Sequence, residues 1–227
     1  MASKKGLRSL AVGFMPAKAN PAEQKKFINE TLLPLIGQAK SGLVELFFVD
    51  ASHFVMGGFP GRVWSLVRRF VKTSSGRQRF NVLGALNFVT GRMETVCNST
   101  YITATQVVDL LEMLAVRYCR SIHIVLDNVP YQKCQMVKDA AKQLGINLHY
   151  LPTYSPNLNL IERVWKFIKG RVLNAAYFET FGGFCEKIIG CVNNLHTIYR
   201  TDIQRLITPK FHVVDENLII SGERLCG

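Results

Sequence analysis

Paired cysteines, long apolar runs and, over one extended stretch, acidic residues are what this sequence lacks. Of the six cysteines (Cys97, Cys119, Cys134, Cys185, Cys191 and Cys226), none forms a C-x-x-C pair or clusters with histidine. That scatter argues against a zinc site and against a disulfide framework, and it suits free thiols in a reducing cytosol. No segment approaches the ~20 consecutive apolar residues of a membrane-spanning helix. The run LAVGFMPA behind Lys4, Lys5 and Arg8 imitates a secretory signal, but it is short and interrupted by Gly13, so secretion is rejected. Internal repeats, low-complexity segments and an obvious serine or tyrosine recombinase constellation are also missing. From Ala51 to Met93 there is no Asp or Glu, yet Arg62, Arg68, Arg69, Lys72, Arg77, Arg79 and Arg92 are all present.

Such a one-signed stretch is poor for solubility unless something negative covers it. The whole chain leans the same way, with 28 Lys and Arg against 16 Asp and Glu and a net charge of +12. A polyanion, DNA above all, is the natural partner; a merely basic, solvated surface is the plain alternative. At 227 residues and 48% hydrophobic content the chain can bury one full core.

Pattern along the chain predicts a mixed α/β sheet covered by helices. Residues 1–40 read as a basic lead-in and a helix from Asn20-Pro21 to about Ala39, with Phe27, Leu32, Leu33, Leu35 and Ile36 on its apolar face. Leu43–Val49 is too short and apolar for anything but a central strand. Glycines and Pro60 then break the chain, and Val63–Val71 is a candidate strand with Trp64 and Phe70 packing. Phe80–Val89 and Met93–Asn98 form a hairpin about Thr90-Gly91. A helix over Thr103–Val116, a strand over Ile122–Asp127, a helix over Tyr131–Leu144 and a strand over Ile146–Tyr150 follow. Ser155-Pro156 then opens a helix in which Leu158, Ile161, Trp165, Ile168 and Val172 mark one buried stripe. Phe178–Leu195 reads as a last helix. The body of the domain is placed at 41–200, with 201–227 as a C-terminal tail on or after it.

Three acids stand out. Asp50 closes the run LVELFFVD, Asp127 closes SIHIVLD, and Glu162 lies near the start of the Leu158–Val172 helix, with 34 residues between it and Asp127. Singly, each has an ordinary explanation: an Asp after a strand is commonly a turn or cap residue, and a Glu on a helix is commonly solvated. Carboxylates at two strand ends, joined by a third from a helix, supply the hard oxygen ligands that divalent ions prefer. Two such ions can serve both ends of an in-line phosphoryl displacement. Around the acids, Asn128 either orients a ligand or caps a turn, and Asn157 and Asn159 either set the turn before Glu162 or touch a phosphate. His53 reads as a locally satisfied loop histidine, with a fourth ligand or proton shuttle as its alternative. Arg163, Lys166, Lys169 and Arg171 give the Glu162 helix a basic outer face, either solvated or a track for DNA phosphates.

The words around the acids carry a resemblance. FFVDASH (Phe47–His53), NVLGALNFVTG (Asn81–Gly91), VLDN (Val125–Asn128) and LPTYSPNLNLIERVWKFIK (Leu151–Lys169) resemble the catalytic domain of a DDE transposase of the mariner-like superfamily, in its bacterial insertion-sequence branch. The likeness runs from about Gly13 to the C-terminus. It implies an RNase H-like fold. It further implies Asp50, Asp127 and Glu162 as catalytic metal ligands, with Mg²⁺, or Mn²⁺ in its place, as two ions. The implied work is cleavage of transposon ends and strand transfer into target DNA, in the cytoplasm at the bacterial nucleoid, by a homodimer that joins two ends. Relatives carry helix-turn-helix modules ahead of the catalytic domain. Only 49 residues precede Asp50 here, so end recognition is expected on a missing or separate segment. Val129-Pro130 after the D-N pair departs from many relatives. Two rivals remain: another RNase H-like nuclease, such as a resolvase, and a non-catalytic DNA-binding remnant.

Overall fold

The computed structural model describes residues 18–57, 66–67, 70, 78–174 and 176–211. Its first helix begins as the sequence predicts: the Asn20 side chain accepts from the Ala22 and Glu23 N–H groups at 3.0 and 3.2 Å, capping α1 (Pro21–Phe27). The helix does not continue regularly. A π turn, Ile28–Leu32, leads into α2 (Leu33–Lys40). Pro34 accounts for it, since a proline inside a helix removes one N–H and crowds the carbonyl four residues back, and a wider turn makes room. Leu32, Leu35, Ile36 and Ala39 are buried, whereas Leu33, expected on the apolar face, is 44% exposed. Neighbouring helical positions point about 100° apart, and Leu32 takes the inward one.

Five strands follow in one sheet: β1 (Val44–Val55), β2 (Arg79–Asn87), β3 (Met93–Asn98), β4 (Ser121–Leu126) and β5 (Asn147–Tyr150), in the order β3-β2-β1-β4-β5. The β1–β2 and β2–β3 pairs are antiparallel; β1–β4 and β4–β5 are parallel. The β2–β3 hairpin turns at Gly91, whose φ of 70° suits glycine. Between β3 and β4 lies α3 (Ala104–Arg117), opened by a capping box of Thr103 and Gln106. One expectation fails here. The helix predicted over Tyr131–Leu144 is two pieces, α4 (Pro130–Lys133) and α5 (Gln135–Gln143), because Cys134 is extended at ψ 163°. A single extended residue leaves no mark on apolar periodicity.

After β5, Ser155 does not cap the Glu162 helix directly. A 3₁₀ turn, Pro156–Leu158, intervenes, and α6 spans Ile161–Leu173. All of Leu158, Ile161, Trp165, Ile168 and Val172 are buried, as the stripe predicts. Then come α7 (Phe181–Asn193), capped by Thr180 through the Gly183 N–H, and α8 (Arg200–Leu206). Ile203 of α8 is fully buried in the core that also holds α6, so the residues after Thr201 open with a packed helix. The candidate strand Val63–Val71 falls mostly outside the described residues; within it Leu66 and Val67 form a bend, and Phe70 is exposed.

Strand alternation divides the interior into two layers. Leu46, Phe48, Phe54 and Val125 face α6 and α7, while Phe47, Val49, Ile124 and Leu126 face α3 and α5. A mixed five-stranded sheet with helices on both faces is the RNase H-like arrangement that the sequence implied.

Candidate active site

Continuing the same alternation places Asp50 and Asp127 on the α6 face, in step with Phe48 and Val125. Val49 and Leu126 are the last register partners of the parallel β1–β4 pair, so Asp50 and Asp127 are the next residues on adjacent strands. Asp127 sits, as expected, where β4 ends. Asp50 does not close its strand. It is in the middle of a twelve-residue β1, because β2 goes on pairing with Ala51–Val55 after β4 has stopped. The polar Ala51-Ser52-His53 segment hides that continuation from a reading based on apolar runs. His53 is accordingly a strand residue, and its Nδ1 lies 2.7 Å from Asn81 Oδ1.

Glu162 comes in from the first turn of α6. The position of that helix depends on Gly84, the partner of Asp50 in the β1–β2 pair. A Cβ at Gly84 would lie 2.8 and 2.9 Å from the Trp165 ring and 3.0 Å from the Met93 sulfur. The missing side chain is therefore what lets Trp165 lie against the sheet, and Glu162, three residues earlier, shares its side of the helix. Sequence reasoning passed over Gly84. A glycine inside a strand, marking close approach of another group, is the signal that was available.

The proximity of the acids and their burial shift their titration. Burial, then the charges of Glu162 and Asp127, push the Asp50 carboxyl from 3.8 up to about 8. The Ala51 N–H and the Trp165 indole pull weakly the other way. That indole N–H lies beside Asp50 without completing a hydrogen bond to any partner. Asp127 is raised chiefly by burial and lowered by a hydrogen bond from Asn159. Glu162 is raised by burial and by Asp127, and lowered by Lys169 and by a hydrogen bond with Asp50. Tyr131, on α4, borders the group: burial and the charges of Asp50 and Asp127 hold its phenol up at about 12.

The supporting asparagines divide. Asn159, only 1% exposed, donates through Nδ2 to the Val49 carbonyl and to Asp127 Oδ1, both at 3.2 Å. It ties the carboxylate of one strand to the backbone of the next. Asn157 turns instead to the first helix, donating to Gln24 Oε1 at 3.1 Å. Asn128 lines the hollow beside Asp127 together with Tyr154 and Pro156.

The basic residues divide too. Lys166 and Lys169 line an open groove of about 680 Å³ that runs along α6 from Glu162. Lys169 Nζ is also 5.6 Å from the centre of the Phe54 ring. Arg163 has other work: its guanidinium donates to the carbonyls of Leu206, Thr208 and Lys210, closing the end of α8. Its inclusion on the outer basic face is corrected by those three bonds. Arg79 opens β2 and is exposed, while Arg62, Arg68, Arg69, Lys72 and Arg77 lie outside the described residues.

Three neighbouring carboxylates, partly desolvated and rich in hard oxygen donors, fit a divalent cation: its charge would offset the burial and the repulsion that raise Asp50. The side chains converge without closing. Among the described residues, no group of three or more His, Cys, Asp or Glu side chains is gathered closely enough to cage an ion by itself.

Residues 45–185, more than half of the chain, match the sequence family of DDE superfamily endonucleases. The chain belongs to that family. No curated protein sequence matches it. Among solved structures it is similar to the Mos1 mariner paired-end complex with Mn, at a TM-score of 0.60 and 11% identity over 89% of this chain and 65% of that one. It is also similar to the Mos1 strand transfer complex, at a TM-score of 0.55 and 14% identity over 90% of this chain and 67% of that one. A Mos1 paired-end complex with the left transposon end gives a TM-score of 0.58 at 14% identity. At such identities the likeness is one of fold. This chain spans about two thirds of the length of those transposase chains.

Proposed function

We propose that this chain cuts DNA at transposon ends and transfers the freed strand into target DNA, with Asp50, Asp127 and Glu162 as the reacting site. The observation that carries the reading is the placing of the three acids, from β1, β4 and α6, on one face of the sheet, where burial first and then the charges of Glu162 and Asp127 raise Asp50 to about 8. Mg²⁺ or Mn²⁺, as two ions held by these carboxylates and by phosphate oxygens, would activate a nucleophile and stabilise the departing oxygen. Asn159 fixes the Asp127 carboxylate against β1, and Trp165 fixes the helix that carries Glu162. Lys166 and Lys169 present positive charge along the groove beside Glu162, where a phosphate backbone would lie. In the first step, water displaces the 3′ oxygen of the transposon strand from phosphorus. In the second, the 3′-hydroxyl attacks a target phosphodiester, forming a new P–O bond as the target strand's own 3′ oxygen leaves phosphorus. Neither step needs a covalent bond to the protein.

Two copies would bring two ends together, and a separate helix-turn-helix segment would read the end sequence. The Mn-containing and strand-transfer complexes of Mos1 support the choice of metal and substrate by analogy. Localisation at the bacterial nucleoid belongs to the same proposal. Among the described residues, no helix is long and apolar enough to cross a membrane.

The test is an end-labelled duplex incubated with Mg²⁺ or Mn²⁺. Wild type is expected to nick it and then join the product to a target plasmid. Glu162→Gln is expected to bind the duplex and leave it uncut; undiminished cleavage by that variant would overturn the assignment. Cleavage without joining would indicate a nuclease of the same fold. The groove has its own test. Lys166→Glu and Lys169→Glu are each expected to weaken duplex binding and to lower the slope of log affinity against log salt by about 1. An unchanged slope would take those lysines off the DNA path.

A further inference from the structure

We infer that Gln24, 138 positions ahead of Glu162 in the chain, is a positioning residue for the site. The inference rests on the reading of the three acids as the cleavage centre.

Gln24 is the one buried residue of α1, at 3% exposure. A buried amide costs free energy unless it is hydrogen-bonded, and an apolar side chain would fill the same space without that demand. Both ends of this amide are used, and both on one short segment. Nε2 donates to Ser155 Oγ at 3.0 Å, and Oε1 accepts from Asn157 Nδ2 at 3.1 Å. Ser155, itself 4% exposed, donates its hydroxyl to the Thr153 carbonyl at 3.3 Å. Gln24 therefore grips the chain on either side of Pro156.

What it grips leads straight into the acids. The Leu158 N–H bonds to the Ser155 carbonyl, the Asn159 N–H to the Pro156 carbonyl, and the Glu162 N–H to the Asn159 carbonyl, at 3.1, 3.0 and 3.2 Å. The Asn159 side chain holds Asp127 and β1. A continuous set of bonds thus runs from α1 through the 153–159 segment to the backbone of Glu162 and the carboxylate of Asp127. The segment has something to restrain: Tyr154 is held at φ 58°, the left-handed region that side chains other than glycine rarely adopt. Lys18, just ahead of α1, adds its ammonium 5.9 Å from the centre of the Tyr154 ring. Unfastened from α1, the segment would relax and carry the start of α6, with Glu162, away from Asp50.

Gln24→Leu keeps the bulk and removes both bonds; Ser155→Ala removes one of them and serves where the first variant folds poorly. Three readouts apply to the full chain. Hydrogen exchange in 153–163 is expected to accelerate in Gln24→Leu with β4 unchanged, a comparison that needs neither metal nor DNA. Mn²⁺ affinity by calorimetry is expected to fall by roughly tenfold, the usual scale for losing a support of a metal ligand. Turnover on a labelled duplex is expected to fall similarly at unchanged duplex affinity, with Gln24→Glu, which keeps an acceptor for Asn157, recovering part of it. Exchange, Mn²⁺ affinity and turnover all within twofold of wild type would overturn the inference. Faster exchange with unaltered Mn²⁺ affinity and turnover would overturn it as well, leaving Gln24 a packing residue. If wild type neither binds Mn²⁺ nor cuts DNA, the cleavage reading itself falls; the exchange result then still decides whether Gln24 holds the Glu162 segment.

Discussion

Asp50→Asn is expected to abolish DNA cleavage while making the metal-free protein more stable. Loss of one carboxylate ligand removes several kcal/mol of the charge stabilisation that a metal site supplies, about three orders of magnitude in rate. The gain in stability has a separate cause. Folding takes Asp50 out of water and sets it near Asp127 and Glu162, which raises its pKa from 3.8 to about 8. Between those values the folded protein holds a proton that the unfolded chain has released, so wild-type stability falls as pH rises through the window. Asparagine carries no such charge. Its advantage over wild type is therefore near zero at about pH 4 and greatest above about pH 8. At ~1.4 kcal/mol per pKa unit, the melting temperatures in EDTA should differ by roughly 10–20 °C at pH 9 and converge near pH 4. Added Mg²⁺ should stabilise wild type and narrow the gap. Equal melting temperatures at both pH values would mean that Asp50 is not desolvated and repelled as described.

Gly84→Ala is expected to be nearly as damaging to activity, although it adds a single methyl group and touches no acid. In an unobstructed strand, replacing glycine by alanine gains about 0.5–1 kcal/mol through lower chain entropy. Here the new methyl would meet the Trp165 ring at 2.8 Å and the Met93 sulfur at 3.0 Å, and overpacking of this kind costs about 1–3 kcal/mol. Overpacking is the larger effect, so a modest net loss of stability is expected. Activity should suffer more than stability. The least constrained response is for Trp165 to lift α6 off the sheet, taking Glu162 with it, and misplacement by about 1 Å commonly costs 10²-fold in rate. Pairing Gly84→Ala with Trp165→Phe, which shortens the ring, should restore part of the turnover. Full activity in Gly84→Ala alone would show that α6 is not held at its distance by this contact.

Both variants concern residues whose roles were unequally visible in the sequence. Asp127 stands at the end of an apolar run, and its place at the end of β4 followed directly. Asp50 was legible as an acid on the central strand, but its strand continues to Val55 because of β2, a partner far along the chain. The stripe from Leu158 to Val172 predicted the buried face of α6 correctly. The turn before it did not announce that Ser155 would be occupied by Gln24 rather than by its own helix. Arg163 looked like a surface cation among others until the end of α8 folded back onto it. Gln24 carries no local signal of chemistry at all, and Gly84 only that of a glycine inside a strand.

The sequence by itself determined the local elements and singled out the three acids, because periodicity, capping residues and short motifs are properties of neighbouring residues; the RNase H-like class followed from its family resemblance. Only the tertiary structure decided which side chains share the site. Register between β1 and β4 brings Asp50 beside Asp127, the space left by Gly84 sets the approach of Glu162, and hydrogen bonds across more than a hundred residues fix the segment that joins them. These are contacts between distant parts of the chain, and their energies depend on distance and burial, which no stretch of sequence contains.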